Sequence, residues 1–279
     1  MKRFVLFVLV AGLVLAVGSA WALTLQPGVT VSWTSWSPSS LDEAPDPYWD
    51  GKSSDFWGRQ AGSGANIGHW LSKTGVFDPS YVPPSPPPWG STMEAIRMSA
   101  ISQSPGVAYP YLSDSGGQPL TDVWFQSDTP NWAAIKIEIA GLSTTNAFGI
   151  YEKDKPSNTQ LLFSGANGPG DTIVFTPSWT QFGFYLHDTA NSYIWYSQSQ
   201  FNEKIGVGDV DLTLQHFAFF QAKSGAYPAY YISAEDRPNL GDRDYQDFCV
   251  LVQAIPDATT WMLFLSGVPA LALLRRKRA

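Results

Sequence analysis

In the stretch Ile135-Lys136-Ile137-Glu138-Ile139, isoleucine alternates with a charged residue. Because successive side chains of a strand point to opposite faces, this alternation predicts a strand with one buried and one solvated face. Further short strands are predicted at residues 147–152, 160–163, 172–176, 181–187, 193–197, 216–222, 229–234 and 248–255. Turn-forming residues separate some of them, at 155–158, 165–171 and 188–191. Short strands at this spacing predict an all-β fold, an antiparallel β-sandwich of jelly-roll type, over residues 134–254.

The upstream half, residues 23–133, is irregular and rich in aromatic residues and proline. Residues 23–36 alternate loosely and predict a first strand, and residues 66–71 predict a short ordered element. Residues 83–88 are all proline except Ser85 and must run as an extended polyproline segment. Residues 100–130 show no clear pattern. The whole chain holds 12 Trp, 12 Tyr and 16 Phe but only 15% charged residues, which favours strands throughout a β-rich domain at 23–254.

The N-terminus has the three parts of a secretory signal peptide. Lys2 and Arg3 form a positive region, residues 4–17 are apolar, and Ala20 and Ala22 flank Trp21 in a small-residue cleavage site. The sequence therefore predicts a signal-peptide helix over residues 1–22, removal after Ala22, and export of the domain.

The C-terminus, residues 255–279, has the pattern of a short transmembrane helix. An apolar run at 261–274 ends at the cationic cluster Arg275-Arg276-Lys277-Arg278, which predicts a membrane stop with a cytoplasmic tail. The run is shorter than the roughly 20 residues that a span prefers, and Gly267 and Pro269 interrupt it. These features favour a transient hold in the inner membrane, and an ordinary single-pass anchor is the alternative.

Together with Pro256-Asp257 before the helix, this tail resembles the PEP-CTERM class of bacterial sorting tails. The family motif is Pro-Glu-Pro, and this chain has Pro256-Asp257-Ala258 in its place. The resemblance implies an exosortase, an intramembrane transpeptidase, as a processing partner. It also implies a destination at the cell surface or outside the cell.

Charge and cysteine content narrow the classes of partner. The chain has 17 basic and 24 acidic residues; without the six basic residues and one acid of the two termini, 11 basic and 23 acidic residues leave the domain at −12. Such a surface repels phosphate backbones, so we expect no nucleic-acid partner, and it favours divalent cations. The single cysteine, Cys249, excludes an internal disulfide, and its apolar neighbours predict a buried strand.

Five acids near the end of the domain bracket a loop rich in proline and glycine: Glu235, Asp236, Asp242, Asp244 and Asp247. Calcium takes six to eight oxygen ligands and tolerates irregular loops, so this spacing predicts a Ca²⁺ site. Counted from Asp242, the sixth position is Asp247 where an EF-hand needs glycine, so the site would be a loop between strands. The alternative is a solvated acidic turn whose Asp side chains bond their own backbone.

The same acids, with Tyr245 and Phe248, resemble a bacterial extracellular domain of unknown function whose signature is E-D, a short loop, then D-x-D-Y-N-D. Gln246 stands where that signature has Asn. The resemblance covers roughly residues 134–254. It implies a β-rich, Ca²⁺-dependent surface module without an established activity.

These observations predict a non-enzymatic bacterial protein of the cell surface or biofilm matrix. Two alternatives stay open. A secreted glycoside hydrolase needs only a carboxylate pair, whose spacing is three-dimensional. A carbohydrate-binding module would bind exopolysaccharide through aromatic faces. The tryptophans that could supply them are Trp33, Trp36, Trp49, Trp57, Trp70, Trp89, Trp124 and Trp132.

Overall fold

The computed structural model describes residues 23–35, 48, 67, 71, 107–114, 118–138, 144–202, 214–222, 227–241 and 243–255. The predicted signal peptide, the polyproline segment and the tail from Pro256, with its sorting motif and cationic stop, lie outside them. Within the described ranges, no helix is long and apolar enough to cross a membrane. The strands there are β1 (Thr24–Leu25), β2 (Trp33–Ser35), β3 (Val107–Leu112), β4 (Phe125–Gln126), β5 (Asn131–Ile137), β6 (Asn146–Glu152), β7 (Lys155–Phe163), β8 (Thr172–Phe175), β9 (Gln181–Asp188), β10 (Tyr193–Tyr196), β11 (Phe217–Ala222), β12 (Ala229–Ala234) and β13 (Phe248–Ala254).

The strands form two antiparallel sheets, which confirms the coarse prediction of an all-β, two-sheet fold. The six-stranded sheet has the order β1-β4-β9-β6-β7, and β10 also pairs with β9. The seven-stranded sheet has the order β2-β3-β11-β12-β13-β5-β8. Two single 3₁₀ turns, Ser199–Phe201 and Pro238–Leu240, follow β10 and β12.

Aromatic side chains from both sheets fill the space between them. Phe125 of the six-stranded sheet lies 6.0 Å, centroid to centroid, from Phe219 of the seven-stranded sheet. Phe148 stacks on Phe248 at 5.4 Å across the same gap. Such pairs stabilise a core beyond the area they bury, and they fix the two sheets face to face.

The outer face of the seven-stranded sheet is also buried. Tyr231, Cys249 and Leu251 belong to a second apolar cluster, to which Ile67 and Leu71 of the irregular half contribute. Strands covered on both faces carry continuous apolar runs rather than alternation, which explains the sequences of β11, β12 and β13. The predicted burial of Cys249 is confirmed.

Two predictions of strand boundaries were wrong, and two strands were not predicted. Strand β7 begins at Lys155, so the predicted turn at 155–158 is strand; the turn is Lys153-Asp154, where Asp154 has φ 63°. The single strand predicted at 23–36 is two strands, β1 and β2, in different sheets. The unread stretch 100–130 contains β3 and β4.

Candidate functional site

Three of the predicted acids meet at one end of the sandwich. Glu235 and Asp236 directly follow β12, Asp247 directly precedes β13, and these antiparallel strands are paired up to that end. One carboxylate oxygen from each residue lies within 4.8 Å of the other two. All three side chains are buried, at 0%, 1% and 8% exposure. We call Glu235, Asp236 and Asp247 the acidic cluster.

The other two predicted acids do not belong to this group as the structure describes it. Asp244 is buried, but its carboxylate accepts hydrogen bonds from the backbone N–H of Gln246 at 3.3 Å and from Gln246 Nε2 at 2.5 Å. Asp244 therefore bonds the backbone of its own turn, as the alternative interpretation expected, but the residue is buried rather than solvated. Asp242 lies outside the described residues.

Aromatic side chains hold the backbone of the acidic cluster in place. Trp195 Nε1 donates a hydrogen bond to the backbone carbonyl oxygen of Asp236 at 3.0 Å. Nδ1 of His216 lies 3.0 Å from the backbone carbonyl oxygen of Glu235. The two rings stack at 3.8 Å with an interplanar angle of 1°. The backbone N–H of Asp236 donates to Asp247 Oδ2 at 2.9 Å. The cluster is thus preformed rather than a mobile surface turn.

The loop between the acids has an unusual backbone. Four of its non-glycine residues have positive φ: Asn239, Leu240, Arg243 and Tyr245, at 52–63°. Such conformations cost free energy, and they persist only where the surroundings hold them. Tyr245 is held by burial and by its hydroxyl, which donates to the carbonyl oxygen of Gln215 at 2.5 Å.

Gly241 lies where this loop packs closely against Glu235. Its φ is 45°, and a Cβ placed there would approach Glu235 Oε1 to 2.5 Å. Only glycine combines that backbone conformation with this close approach. The loop therefore closes directly over the acidic cluster.

Burial changes the proton affinity of the acidic cluster. It raises the pKa of Asp247 well above its ordinary value, and the neighbouring charges of Glu235 and Asp236 add to the rise. Burial likewise raises the pKa of Asp236, while Asn146, Asp247 and the Arg237 guanidinium partly offset the effect. Asp236 and Asp247 therefore resist ionisation where they stand, and a divalent cation held between them would favour their charged forms.

A fourth member of the site, Asn146, was not predicted from the sequence. It is the first residue of β6 in the other sheet, fully buried, and its Nδ2 donates to Asp236 Oδ2 at 2.9 Å. Its Oδ1 is buried and has no hydrogen-bond partner among the described residues. Its sequence neighbours predict only a strand, and no local pattern places it against an acid 90 residues away.

The donor set fits calcium. The acidic cluster offers six carboxylate oxygens and Asn146 offers an amide oxygen, which are the hard ligands that Ca²⁺ prefers. The nearby imidazole, His216, directs Nδ1 to a backbone carbonyl. No Cys or His belongs to the metal-capable group found among the described residues, so the set does not resemble a zinc site.

The tryptophans proposed as sugar contacts divide into two groups. Trp124 is buried, and Trp33 and Trp132 are half-buried and pack against the apolar clusters. The other five lie outside the described residues. Within the described part of the chain, the large hydrophobic side chains that remain exposed are aliphatic: Val29, Leu161 and Val174.

Comparisons with known proteins do not assign a family. No protein-family model matches the chain, and no curated protein matches it. One solved structure with a match is the lectin CV2L of Chromobacterium violaceum, in complex with α-methyl-fucoside. The match has 12% identity and covers 48% of this chain and 96% of the lectin, with a TM-score of 0.27. At that TM-score the similarity carries no argument about function, and the two family resemblances stay predictions.

Proposed function

We propose that this chain is a non-catalytic bacterial protein, exported to the cell surface or extracellular matrix, whose β-sandwich is stabilised by Ca²⁺. The observation that carries the calcium proposal is the acidic cluster, three buried carboxylates with oxygens within 4.8 Å of one another. Burying like charges together is costly unless protons or a cation neutralise them. A divalent cation would neutralise them at the neutral pH and millimolar calcium of many extracellular settings.

The position of the acidic cluster suggests a structural role for the cation. Glu235 and Asp236 follow one strand and Asp247 precedes the next, so a bound ion would join the two ends of the intervening loop. That loop contains several positive-φ residues, which need such support. Binding to the folded state alone would then stabilise the fold by mass action.

Burial of the acidic cluster favours a non-catalytic role over the glycoside hydrolase alternative. A glycosidase places its two carboxyl groups beside a sugar, about 5–9 Å apart. The side chains of Glu235 and Asp236 are essentially inaccessible, and Asp247 is 8% exposed. A sugar ring therefore has no access to them in this conformation.

Calorimetric titration of the purified full-length protein tests the calcium proposal. We expect one site for CaCl₂, much weaker heat with MgCl₂, and a dissociation constant up to about 10⁻³ M, the range of extracellular calcium modules. If 10 mM CaCl₂, about ten times that limit, produces neither heat nor a change in melting temperature, the acidic cluster is not a calcium site.

Mass spectrometry of the protein from its native cells tests the export proposal. We expect surface or secreted material that begins at Leu23. A C-terminus near Asp257 would support exosortase processing, and a retained tail would support the single-pass anchor. Cytosolic protein that keeps both Met1 and Ala279 would overturn the export proposal.

A glycan array tests the carbohydrate-binding alternative. Binding of an exopolysaccharide fragment without turnover would favour that alternative, and release of reducing ends would favour the hydrolase. We expect no sugar stacking on the described residues, because their exposed large hydrophobic side chains are aliphatic.

A further inference from the structure

We propose that Asn146 supplies a calcium ligand through Oδ1, so that cation binding fastens the six-stranded sheet to the seven-stranded sheet. The inference rests on the calcium site proposed above and extends it to a residue that the acidic loop does not contain.

Asn146 and the three acids belong to different sheets. All three acids of the cluster adjoin β12 and β13 of the seven-stranded sheet, whereas Asn146 begins β6 of the six-stranded sheet. The hydrogen bond from Asn146 Nδ2 to Asp236 Oδ2, at 2.9 Å, crosses between the sheets. The amide group is therefore already in contact with the acidic cluster.

The amide oxygen of Asn146 is buried away from solvent. Asn146 is fully buried, and Oδ1 has no hydrogen-bond partner among the described residues. A buried oxygen without a hydrogen-bond partner is unfavourable, and native structures rarely contain one. Oδ1 belongs to the same amide group whose Nδ2 contacts Asp236, and it is a neutral oxygen of the kind that calcium binds.

The side-chain amide of Asn146 can adopt two orientations. A half-turn of the amide group exchanges Nδ2 and Oδ1 in nearly the same volume. In this structure the N–H of Asn146 faces Asp236. With a cation bound between the carboxylates, the oxygen is the atom that gains from facing the cluster.

The neighbouring acid of the same sheet, Asp188, is a poorer candidate. It pairs with Asn146 across β6 and β9 and is also buried. Its carboxylate, however, already accepts hydrogen bonds from Thr145 Oγ1 at 3.2 Å, the N–H of Ala190 at 3.0 Å and Asn191 Nδ2 at 2.5 Å. Asp188 holds its own turn, which leaves Asn146 as the ligand from this sheet.

Europium luminescence in the full-length protein tests the inference directly. Eu³⁺ takes the oxygen ligands of Ca²⁺, and its lifetimes in H₂O and D₂O count the water molecules bound to it. We expect Asn146→Ala to add about one bound water and to weaken calcium binding about tenfold or more, because one protein ligand is lost. Asn146→Asp retains an oxygen at this position and should keep the wild-type water count.

A matched control is Asn131→Ala. Asn131 is equally buried and begins β5, but it pairs with Ala254 at the far end of β13 from Asp247. Its Nδ2 donates to Ser127 Oγ at 3.1 Å and to the carbonyl oxygen of Thr129 at 2.9 Å. We expect this variant to lose stability while its water count and calcium affinity stay unchanged.

The outcomes separate the two proposals. If the wild type binds neither Ca²⁺ nor Eu³⁺, the calcium site itself fails. If the wild type binds both and Asn146→Ala changes neither the water count nor the affinity, only the role of Asn146 is overturned. An equal increase in bound water in Asn131→Ala would also overturn it, since the effect would then be general loosening.

Discussion

Replacing Asp247 with Asn is expected to change stability in opposite directions with and without calcium. The substitution keeps the shape and an oxygen that can accept from the N–H of Asp236, which now donates at 2.9 Å. Two full charges 4.8 Å apart, the limit of the acidic cluster, repel by about 3.5 kcal/mol at an effective dielectric of 20. Asp247 takes part in two of the three pairs within the cluster.

In a chelator at pH 8, the variant should therefore be more stable than the wild type. The raised carboxyl pKa values of Asp236 and Asp247 relieve part of this repulsion in the wild type, so we expect a gain of about 1–3 kcal/mol rather than the full Coulomb energy. For a domain of this size that corresponds to roughly 2–12 °C in melting temperature.

In calcium, the wild type should be more stable than Asp247→Asn. At 100 times the dissociation constant, the wild type gains about 2.7 kcal/mol, or roughly 5–10 °C. Asp247→Asn lacks one of the three charges that attract the ion and should gain much less. Scanning calorimetry in EGTA and in CaCl₂ measures both melting temperatures.

The matched control is Asp171→Asn in an exposed loop, where Asp171 accepts from Asn167 Nδ2 and from the N–H of Gly168, both at 3.1 Å. Asp171→Asn should change the melting temperature by the same amount in EGTA and in CaCl₂. If Asp247→Asn lowers the melting temperature equally in chelator and in calcium, the acidic cluster is a hydrogen-bonded structural network and our reasoning about a cation is wrong.

Three further predictions concern the same end of the sandwich and the core beside it. Gly241→Ala should cost about 1–3 kcal/mol in urea unfolding, because φ is 45° and the new Cβ meets the acidic cluster; Gly168→Ala, where nothing lies within 4 Å, should change stability little. In chelator, the unfolding free energy should fall as the pH rises through the elevated pKa values of Asp236 and Asp247. Acids whose pKa is raised in the folded state stabilise the fold only while protonated. Urea titrations at several pH values that show a flat or rising unfolding free energy would contradict this prediction. Burial raises the pKa of the Cys249 thiol to about 12, so dithiodipyridine should label it only at the rate of unfolding, and rapid labelling of native protein would refute its burial.

The strands of this fold could be predicted where one physical signal dominated. The alternation that begins at Ile135 correctly predicted strand β5, and Ile135 lies in the core, but the predicted solvated face was wrong because Lys136 is also buried. The predicted start of β12 is correct because Pro228 and the apolar run mark it. The start of β7 was missed because Pro156 is a turn former in most contexts. An edge strand tolerates proline, since one of its sides has no neighbour, and no local signal tells an edge from a turn.

The acidic cluster could be predicted only in part. Glu235, Asp236 and Asp247 lie on either side of one loop, so their proximity follows from the pairing of β12 with β13. The separate role of Asp244 depends on the backbone conformation of the loop, which composition does not encode. The contact of Asn146 with Asp236 depends on how two sheets face each other, and that arrangement emerges only from packing.

The same edge strand, β7, also bears on how copies of this protein behave at high local concentration. Its first half, Lys155-Pro156-Ser157-Asn158-Thr159, presents a cation, a residue without an N–H and three short polar side chains along a sheet margin that pairs with no further strand among the described residues. Margins of this kind are poor templates for a further strand. Molecules crowded side by side are thereby discouraged from joining their sheets into fibres at this margin and can stay separate.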